Sequence, residues 1–230
     1  MGKQIVMQSV NVNNKKLKKI LYDYSEFILQ EKYRIILDDE YYYGALRNPY
    51  ERGLTEDYLN HVRKDENMHN GFPEAIRGME LKYEFNKKSS LSNEHDILRK
   101  ELMKIAYDTT TEINHLLITK RNALCCYYPD DGYITWHNNQ NASGHNVIFS
   151  YSEKGTGSFS YLDPKSQEIV NMPDPVAEWT CKVGYFGKYS EPDKVFWHKA
   201  ESGGSRRITV AFVIPSNPLW EEMINDIESP

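Results

Sequence analysis

Residues 123–137 read ALCCYYPDDGYITWH, and this stretch decides the class of the fold. Ala123 to Tyr128 and Tyr133 to His137 are short apolar runs rich in aromatic residues, a composition typical of β-strands. Between them stands Pro-Asp-Asp-Gly, four residues that favour a tight turn. The stretch therefore predicts two short strands separated by a turn, the second of which ends on a histidine.

The rest of the second half repeats this pattern of short apolar runs separated by turn residues. About eight short strands at even spacing are typical of a closed or double-sheet β fold, such as a jelly roll. The further predicted strands are Asn146 to Tyr151, Ser158 to Leu162, Glu168 to Asn171, Thr180 to Phe186, Lys194 to His198 and Arg207 to Ile214.

The first half has helical periodicity instead. Apolar residues from Leu17 to Ile28 recur at three- and four-residue spacings and predict an amphipathic helix. A second helix is predicted from about Asn93 to Leu117, while the polar, glycine-containing segment Tyr41 to Asn86 predicts loops and short elements, interpreted as a lid over a site. Helices followed by strands give an α+β fold. We expect residues 1–121 to form helical support and lid, and 122–230 a jelly-roll core, within one compact domain.

The composition excludes several classes of protein. The chain has 230 residues, of which 40% are hydrophobic and 27% charged, so wholesale disorder is excluded. Its net charge of −5 argues against a protein that coats nucleic acid by charge alone. The negative charge belongs to the second half, which carries 8 Lys or Arg against 14 Asp or Glu.

Cysteine usage and hydropathy bear on the compartment. Cys125, Cys126 and Cys181 form neither an evenly spaced framework nor a Cys-x-x-Cys pair, so we expect reduced, buried thiols and no thiolate zinc site. No apolar run approaches the length of a membrane span, and the first ten residues lack the pattern of a secretory signal. The expected location is therefore the cytoplasm.

Two histidines of the β half suggest a metal centre, and an arginine suggests a site for a carboxylate close to it. His137 and His198 each follow a tryptophan at a predicted strand end, and Arg207 opens a strand nine residues after His198. A non-haem Fe(II) oxygenase needs two imidazoles and one oxygen donor on one face of the metal, with the other positions open. A guanidinium deeper inside a β barrel is a natural partner for a carboxylate.

This order of residues resembles the 2-oxoglutarate/Fe(II)-dependent oxygenase superfamily. The resemblance covers roughly Ala123 to Ile214, and it is strongest to prolyl-hydroxylase-like and AlkB-like members. Tyr128 stands nine residues before His137, at the position of the family's 2-oxoglutarate-binding tyrosine. The strand Arg-Ile-Thr-Val-Ala-Phe resembles the family's co-substrate strand, which favours Arg207 over Arg206 as the ligand of the co-substrate.

The resemblance implies both a fold and an activity. The fold is a double-stranded β-helix, or jelly roll. The activity is that of a dioxygenase that uses Fe(II), 2-oxoglutarate and O₂, hydroxylates a C–H bond and releases succinate and CO₂. His137, Asn139 and His198 would be the metal-binding and catalytic residues, while Arg207 and Tyr128 would bind the far carboxylate of 2-oxoglutarate.

Asn139 departs from the family pattern, because the usual His-x-Asp carboxylate is here an amide. Three interpretations remain open. Asn139 ligates iron as a neutral donor, as a similar motif in some small, often virus-encoded members would suggest. Alternatively the third position is filled by water or another group, as in halogenase-like members, or the chain is a degraded binding protein. His145, eight residues after His137, is an alternative ligand that we expect on the rim of the cleft.

The substrate is not identified by the sequence. A peptide, a nucleobase and a small molecule are all compatible, and the oligomeric state stays open. The tyrosine-rich segment from Tyr41 to Tyr50 is a candidate substrate cleft, and the lysines from Lys15 to Lys19 are interpreted as a solvated helix face rather than a nucleic-acid contact. A cupin-like metal protein without oxygen chemistry is the alternative class, although Asn139 breaks the His-x-His pair that a cupin would carry.

Overall fold

The computed structural model describes residues 7–38, 53–64, 70–81, 93–119, 121–140, 142–214 and 217–230. Within these ranges the chain has a mixed α+β structure with two antiparallel sheets. The helices are α1 (Lys15–Ile28), α2 (Glu31–Leu37), α3 (Glu56–Lys64), α4 (Asn93–Leu117) and α5 (Asn217–Glu228), with one 3-10 helix at Pro192–Lys194.

The strands are short and numerous, as the second half of the sequence predicts. They are β1 (Met7–Val10), β2 (Ile76–Arg77), β3 (Met79–Glu80), β4 (Arg121–Tyr128), β5 (Tyr133–His137), β6 (Gly144–Ser152), β7 (Ser158–Leu162), β8 (Ile169–Pro173), β9 (Trp179–Phe186), β10 (His198–Glu201) and β11 (Arg207–Ile214).

Each sheet draws its strands from distant parts of the chain. The first sheet has the order β1-β9-β6-β11-β4-β3, and the second has the order β2-β5-β10-β7-β8. From β4 onward the chain crosses repeatedly between the two sheets, so that β4 and β5 belong to different sheets although one tight turn joins them. The turns therefore act as corners between the sheets, and the sheets face each other across a shared interior.

Alternation along the strands gives the first sheet two faces with different partners. Tyr127, Ile208 and Val210 belong to the buried cluster shared with α1, α2, α4 and α5. Their immediate neighbours Tyr128 and Arg207 point the other way, into the space between the sheets. Burying an aliphatic or aromatic side chain of this size contributes roughly 1.5–3 kcal/mol each, so the helical layer holds this sheet in place from outside.

The two helices that the sequence predicts are observed as α1 and α4, whereas α2 and α5 are not predicted. Asn14 caps α1 by accepting a hydrogen bond from the backbone N–H of Leu17 at 2.9 Å. The predicted helix from Asn93 to Leu117 is observed with those bounds as α4. Among the described residues, no helix combines the length and the apolar character that crossing a bilayer requires.

The second sheet is covered on its outer face by α3. Leu59 and Val62 of α3 pack with Trp136, Leu162 and Trp197 in a small buried cluster. The indole N–H of Trp136 donates to a backbone carbonyl just before this helix, at 3.1 Å. The tryptophans that precede the two predicted metal histidines are therefore structural, and they anchor α3 to the sheet.

Two differences from the predicted elements affect the site. The prediction of a strand from Lys194 to His198 is wrong. Pro192 starts a 3-10 helix, and regular pairing with the neighbouring strand β7 begins only at His198. His198 thus opens a strand rather than ending one. The short strands β1, β2 and β3 carry no local signal in the sequence, yet they pair with β9, β5 and β4.

Candidate functional site

A cavity of about 260 Å³ lies between the two sheets. Side chains from both sheets line it, and its wall is mainly apolar, with Ile134, Ile148, Phe159, Phe186 and Ala211 among the lining residues. All five predicted site residues also line this one cavity: Tyr128, His137, Asn139, His198 and Arg207.

The two histidines are neighbours across adjacent strands. His137 at the end of β5 is paired in register with His198 at the start of β10, and the two ring centroids are 4.1 Å apart. Each ring makes a local hydrogen bond through Nδ1, at 2.8 Å to the carbonyl of Thr135 and at 3.1 Å to the carbonyl of Phe196. These bonds place a proton on Nδ1 of each ring, so Nε2 is the nitrogen whose lone pair could coordinate a metal.

A shift in strand register directs His137 into the cavity. His137 is opposite His198, but Ile134 is opposite Ala200, so three steps along β5 match two along β10. In a regular strand, residues three apart point to opposite faces, yet both Ile134 and His137 line the cavity. An irregularity of this kind commonly re-aims a side chain beside a functional site. The extra residue in β5 is what brings the first histidine to the second.

Burial favours the neutral form of the His198 imidazole. Desolvation lowers the pKa of His198 well below its usual range, and the neighbouring His137 lowers it further. A neutral imidazole has a lone pair to offer, whereas an imidazolium has none.

The turn after His137 holds Asn139 in an unusual backbone conformation. Asn139 and Gln140 have φ angles of 60° and 53°, in the left-handed region that asparagine tolerates better than most residues. The carbonyl of Gly71 accepts hydrogen bonds from the N–H groups of Asn138 and Gln140, at 3.2 and 3.1 Å. A side chain at position 71 would collide with this turn, because an added Cβ would lie 2.4 Å from Asn138 Oδ1.

Among the residues that line the cavity, position 139 offers an amide oxygen instead of a carboxylate. Within the described residues, no group of three or more His, Cys, Asp or Glu side chains is arranged to hold a metal ion. Cys126 lines the cavity as well, but burial raises the pKa of its thiol, which disfavours a thiolate ligand. A metal here would have two imidazoles and, from Asn139, a neutral oxygen.

Arg207 also lines the cavity and is opposite Tyr128 on the paired strands β11 and β4. The guanidinium donates from Nε to Asp174 Oδ2 at 2.7 Å and from Nη1 to Thr209 Oγ1 at 2.5 Å. Its Nη2 is buried and has no hydrogen-bond partner among the described residues. The Tyr128 ring centre lies 5.7 Å from Arg207 Cζ, and burial raises the pKa of Tyr128, so its hydroxyl stays protonated.

A buried ion cluster behind Arg207 is absent from the sequence-based predictions. Asp174 Oδ2 pairs with Arg207, while its Oδ1 accepts from Lys182 Nζ at 2.7 Å and from Ser150 Oγ at 2.9 Å. Burial alone would raise the pKa of Asp174, but the charges of Arg207 and Lys182 outweigh it and hold that pKa below its usual range. The available sequence signal is Lys182 itself, a lysine flanked by Cys181 and Val183 in an otherwise apolar strand.

The other candidates lie away from the cavity. Arg206 forms an ion pair with Glu153 at 2.6 Å and also donates to the carbonyl of Leu29. His145 packs against Tyr185 and Trp220, with ring centroids 5.0 and 4.7 Å away, and does not line the cavity.

The lysines of α1 lie on a solvent-exposed helix face, as predicted. Lys19 pairs with Asp23 along α1, and Lys16 approaches Glu112 at 3.8 Å, with all four side chains mostly exposed. The candidate cleft from Tyr41 to Tyr50 lies outside the described residues, as do parts of the proposed lid. The described parts of that lid are α3 and the short strands β2 and β3.

No protein-family model matches the chain, and no curated protein matches its sequence. Among solved structures, it is similar to a Pseudomonas putida prolyl-4-hydroxylase at 12% identity and a TM-score of 0.29, over 71% of this chain and 90% of that one. The viral collagen prolyl hydroxylase of Paramecium Bursaria Chlorella virus-1, solved as a 2OG complex, gives 10% and 0.28, over 72% and 90%. A Cellvibrio mixtus carbohydrate-binding module in complex with cellotriose gives 14% and 0.24, over 43% and 84%. Similarities at these identities and TM-scores assign neither a family nor a function to this chain.

Proposed function

We propose that this chain is a 2-oxoglutarate/Fe(II)-dependent oxygenase that hydroxylates a C–H bond. The observation that carries the proposal is the content of one cavity. It contains two buried imidazoles, of which His198 has its pKa lowered by burial, and, separately, a buried guanidinium nitrogen that lacks a partner among the described residues. Together these would bind a metal at one end and the carboxylate of a metal-chelating acid at the other.

The strand order supports a double-stranded β-helix as the framework. Counting from β4, the first sheet holds the first, third, sixth and eighth strands, and the second holds the second, fourth, fifth and seventh. Eight antiparallel strands distributed over two facing sheets in this way are what a jelly roll requires. We propose that residues 122–230 form this catalytic core and that residues 1–121 support and cover it.

The donor set fits Fe(II). His137 and His198 would hold the metal through Nε2, and Asn139 would complete the face with its side-chain oxygen. When bound, Fe(II) supplies the one-electron and O₂ chemistry that no amino-acid side chain provides. The role of the chain is to orient the rings, to keep water out with the apolar wall, and to leave the remaining positions of the metal open.

The other end of the cavity fits the far carboxylate of 2-oxoglutarate. Nη2 of Arg207 would donate a charge-assisted hydrogen bond to it, and the protonated hydroxyl of Tyr128 is the second candidate donor. The two residues lie on adjacent strands inside the first sheet, where β11 is flanked by β6 and β4, and the helical layer packs on the other face. The substrate itself stays unidentified, and a peptide, a nucleobase and a small molecule remain candidates.

A charge-transfer experiment tests metal and co-substrate together. Anaerobic protein with Fe(II) and 2-oxoglutarate should develop the visible absorption band of the chelate, and under air with ascorbate it should form succinate. Arg207→Met should weaken 2-oxoglutarate binding by more than about tenfold, since it removes a charged hydrogen bond. The matched control is Arg206→Met. The guanidinium of Arg206 pairs with Glu153, so its removal should leave the absorption band unchanged. Absence of both band and succinate in the wild-type protein would reject the oxygenase.

Position 139 offers a separate test of the metal site. Asn139→Asp should bind Fe(II) more tightly, by about tenfold, because an anionic donor replaces a neutral one while aspartate also tolerates the left-handed backbone. Asn139→Ala should bind metal more weakly than the wild type if the amide ligates. Equal Fe(II) affinity in the wild type and in Asn139→Ala, measured by anaerobic titration, would exclude Asn139 as a ligand and favour water in that position.

The alternative is a metal-binding jelly roll without oxygen chemistry, similar to a cupin. The neutral amide of Asn139, where an oxygenase would have a carboxylate, favours an inactive metal site, although the same residue also departs from the His-x-His pair of a cupin. This alternative predicts metal binding through the two histidines but no chelate band with 2-oxoglutarate. The same titration therefore separates the two functions.

A further inference from the structure

We propose that Lys182 and Asp174 set the net charge of the buried ion cluster around Arg207, so that the co-substrate site accepts a 2-oxo acid well only when the far end of that acid is a carboxylate. This inference rests on the oxygenase function proposed above and deepens it. Neither side chain is among those that line the cavity, so both act through Arg207 and are positioning residues.

The first step is the charge of the buried cluster. Arg207 and Lys182 are each 1% exposed and Asp174 is 3% exposed, so three ionisable groups are shielded from water together. They carry two positive charges and one negative charge. Glu80 also lines the cavity, but no hydrogen bond or ion pair joins it to Lys182 or Arg207. A buried surplus of one positive charge is unfavourable unless an anion offsets it.

The second step is the protonation of Lys182. Its Nζ lies 2.7 Å from Asp174 Oδ1, 2.8 Å from Ser150 Oγ and 2.9 Å from Thr180 Oγ1. An ammonium has three N–H donors and a neutral amine has two, so three acceptors around one nitrogen indicate the charged form. Burial lowers the pKa of Lys182 and Asp174 opposes that shift, while the three acceptors favour the ammonium form, which gives the cluster its surplus positive charge.

The third step is the direction in which this charge is offered. Asp174 uses Nε of Arg207 and Thr209 uses Nη1, which fixes the plane of the guanidinium and leaves Nη2 for a ligand. Gly157 packs tightly behind this pair, because an added Cβ would lie 2.9 Å from Asp174 Oδ2 and 3.0 Å from Arg207 Cδ. The guanidinium thus has little freedom to turn away from the cavity.

The role of Lys182 follows from these three steps. With Arg207 and Asp174 alone the cluster would be a neutral pair, and an incoming carboxylate would meet the repulsion of Asp174 as well as the attraction of Arg207. Lys182 offsets that repulsion. A 2-oxo acid that ends in a methyl group gains nothing from this arrangement, whereas one that ends in a carboxylate neutralises the cluster.

Binding of two acids to the anaerobic, Fe(II)-loaded protein tests the proposal by titration calorimetry. The acids are 2-oxoglutarate and 2-oxopentanoate, in which a methyl group replaces the far carboxylate. Wild-type protein should prefer 2-oxoglutarate. Lys182→Met should lose about ten- to fiftyfold in affinity for 2-oxoglutarate, the loss expected from removing one nearby charge, and should bind 2-oxopentanoate unchanged. The double variant Lys182→Met/Asp174→Asn restores the net charge of +1 and should recover most of the loss.

The outcomes are distinct. Equal affinity for 2-oxoglutarate in wild type and Lys182→Met, or a double variant that binds more weakly than the single one, would overturn the role of Lys182 and leave the oxygenase intact. Wild-type protein that binds neither acid would overturn the oxygenase, and this inference with it. Melting temperatures and circular dichroism identify folded variants, and Lys182→Gln serves as a second neutral replacement if methionine does not fold.

Discussion

Replacing His198 with alanine is expected to abolish Fe(II) binding, with a loss of affinity greater than about hundredfold. The reason is the small donor set, since the site offers two imidazoles and one neutral amide, and removing one ring leaves a single strong donor. Anaerobic titration of Fe(II), or the rise in melting temperature that the metal produces, measures the effect. Succinate formation should disappear in parallel.

The matched control for His198 is His145→Ala. His145 is also an imidazole of the β half, but it packs on Tyr185 and Trp220 and stands away from the cavity. Its removal should leave Fe(II) affinity within about twofold of the wild type, although it should lower stability by removing ring contacts. Equal losses of metal in both variants would indicate a general folding defect instead of a metal site at His198.

Replacing Asp174 with alanine is expected to produce the largest loss of stability, about 3–5 kcal/mol in the free energy of unfolding. The change leaves Lys182 and Arg207 buried with like charges and no counterion. Urea unfolding followed by circular dichroism measures it. The control is Asp193→Ala, an exposed aspartate of the 3-10 helix, which should change stability by less than about 0.5 kcal/mol. Similar small effects of both substitutions would contradict a structural role for the ion cluster.

Asp174 also makes part of the free energy of unfolding depend on pH. The pKa of Asp174 is held below its usual range in the folded chain, so folding favours its ionised form. The stabilisation from ionised Asp174 is complete above about pH 3.9, the pKa of an aspartate in the unfolded chain. It is lost as the pH falls through the lower pKa that Asp174 has in the folded chain. The difference in stability between wild type and Asp174→Ala should therefore be greatest near neutral pH and shrink below about pH 4.

Much of the fold could be predicted because its signals are local. Tyr133–His137, Ser158–Leu162 and Arg207–Ile214 are observed with the predicted bounds, since apolar runs end at strong turn residues. The helix Asn93–Leu117 was equally clear from its periodicity. The strands β1, β2 and β3 could not be predicted, because two to four residues carry little pattern and their pairing depends on distant partners.

The candidate site could also be predicted only in part, because some of its features depend on pairing between distant strands. The order of His137, His198 and Arg207 along the chain and, for Tyr128, the resemblance to the oxygenase superfamily indicate these residues, and the structure brings them to one cavity. The register shift in β5 that turns His137 inward is invisible in the sequence, because it is defined only against β10. Asp174 and Lys182 were missed for a related reason, since charged residues in a sequence suggest a surface until their partners are known.

The position of Asp174 beside an edge strand predicts that the surroundings of Arg207 have a lower local stability than the histidine pair. It directly follows β8, the outermost strand of its sheet, whereas His137 and His198 lie on β5 and β10 in the interior of that sheet. Outer strands open to hydrogen exchange with a smaller free energy than inner ones. An opening of β8 would release Asp174 and with it the orientation of Arg207, while the histidine pair stayed formed. An anion held by Arg207 favours the closed edge, so occupancy of the cavity and protection of β8 amides are thermodynamically linked.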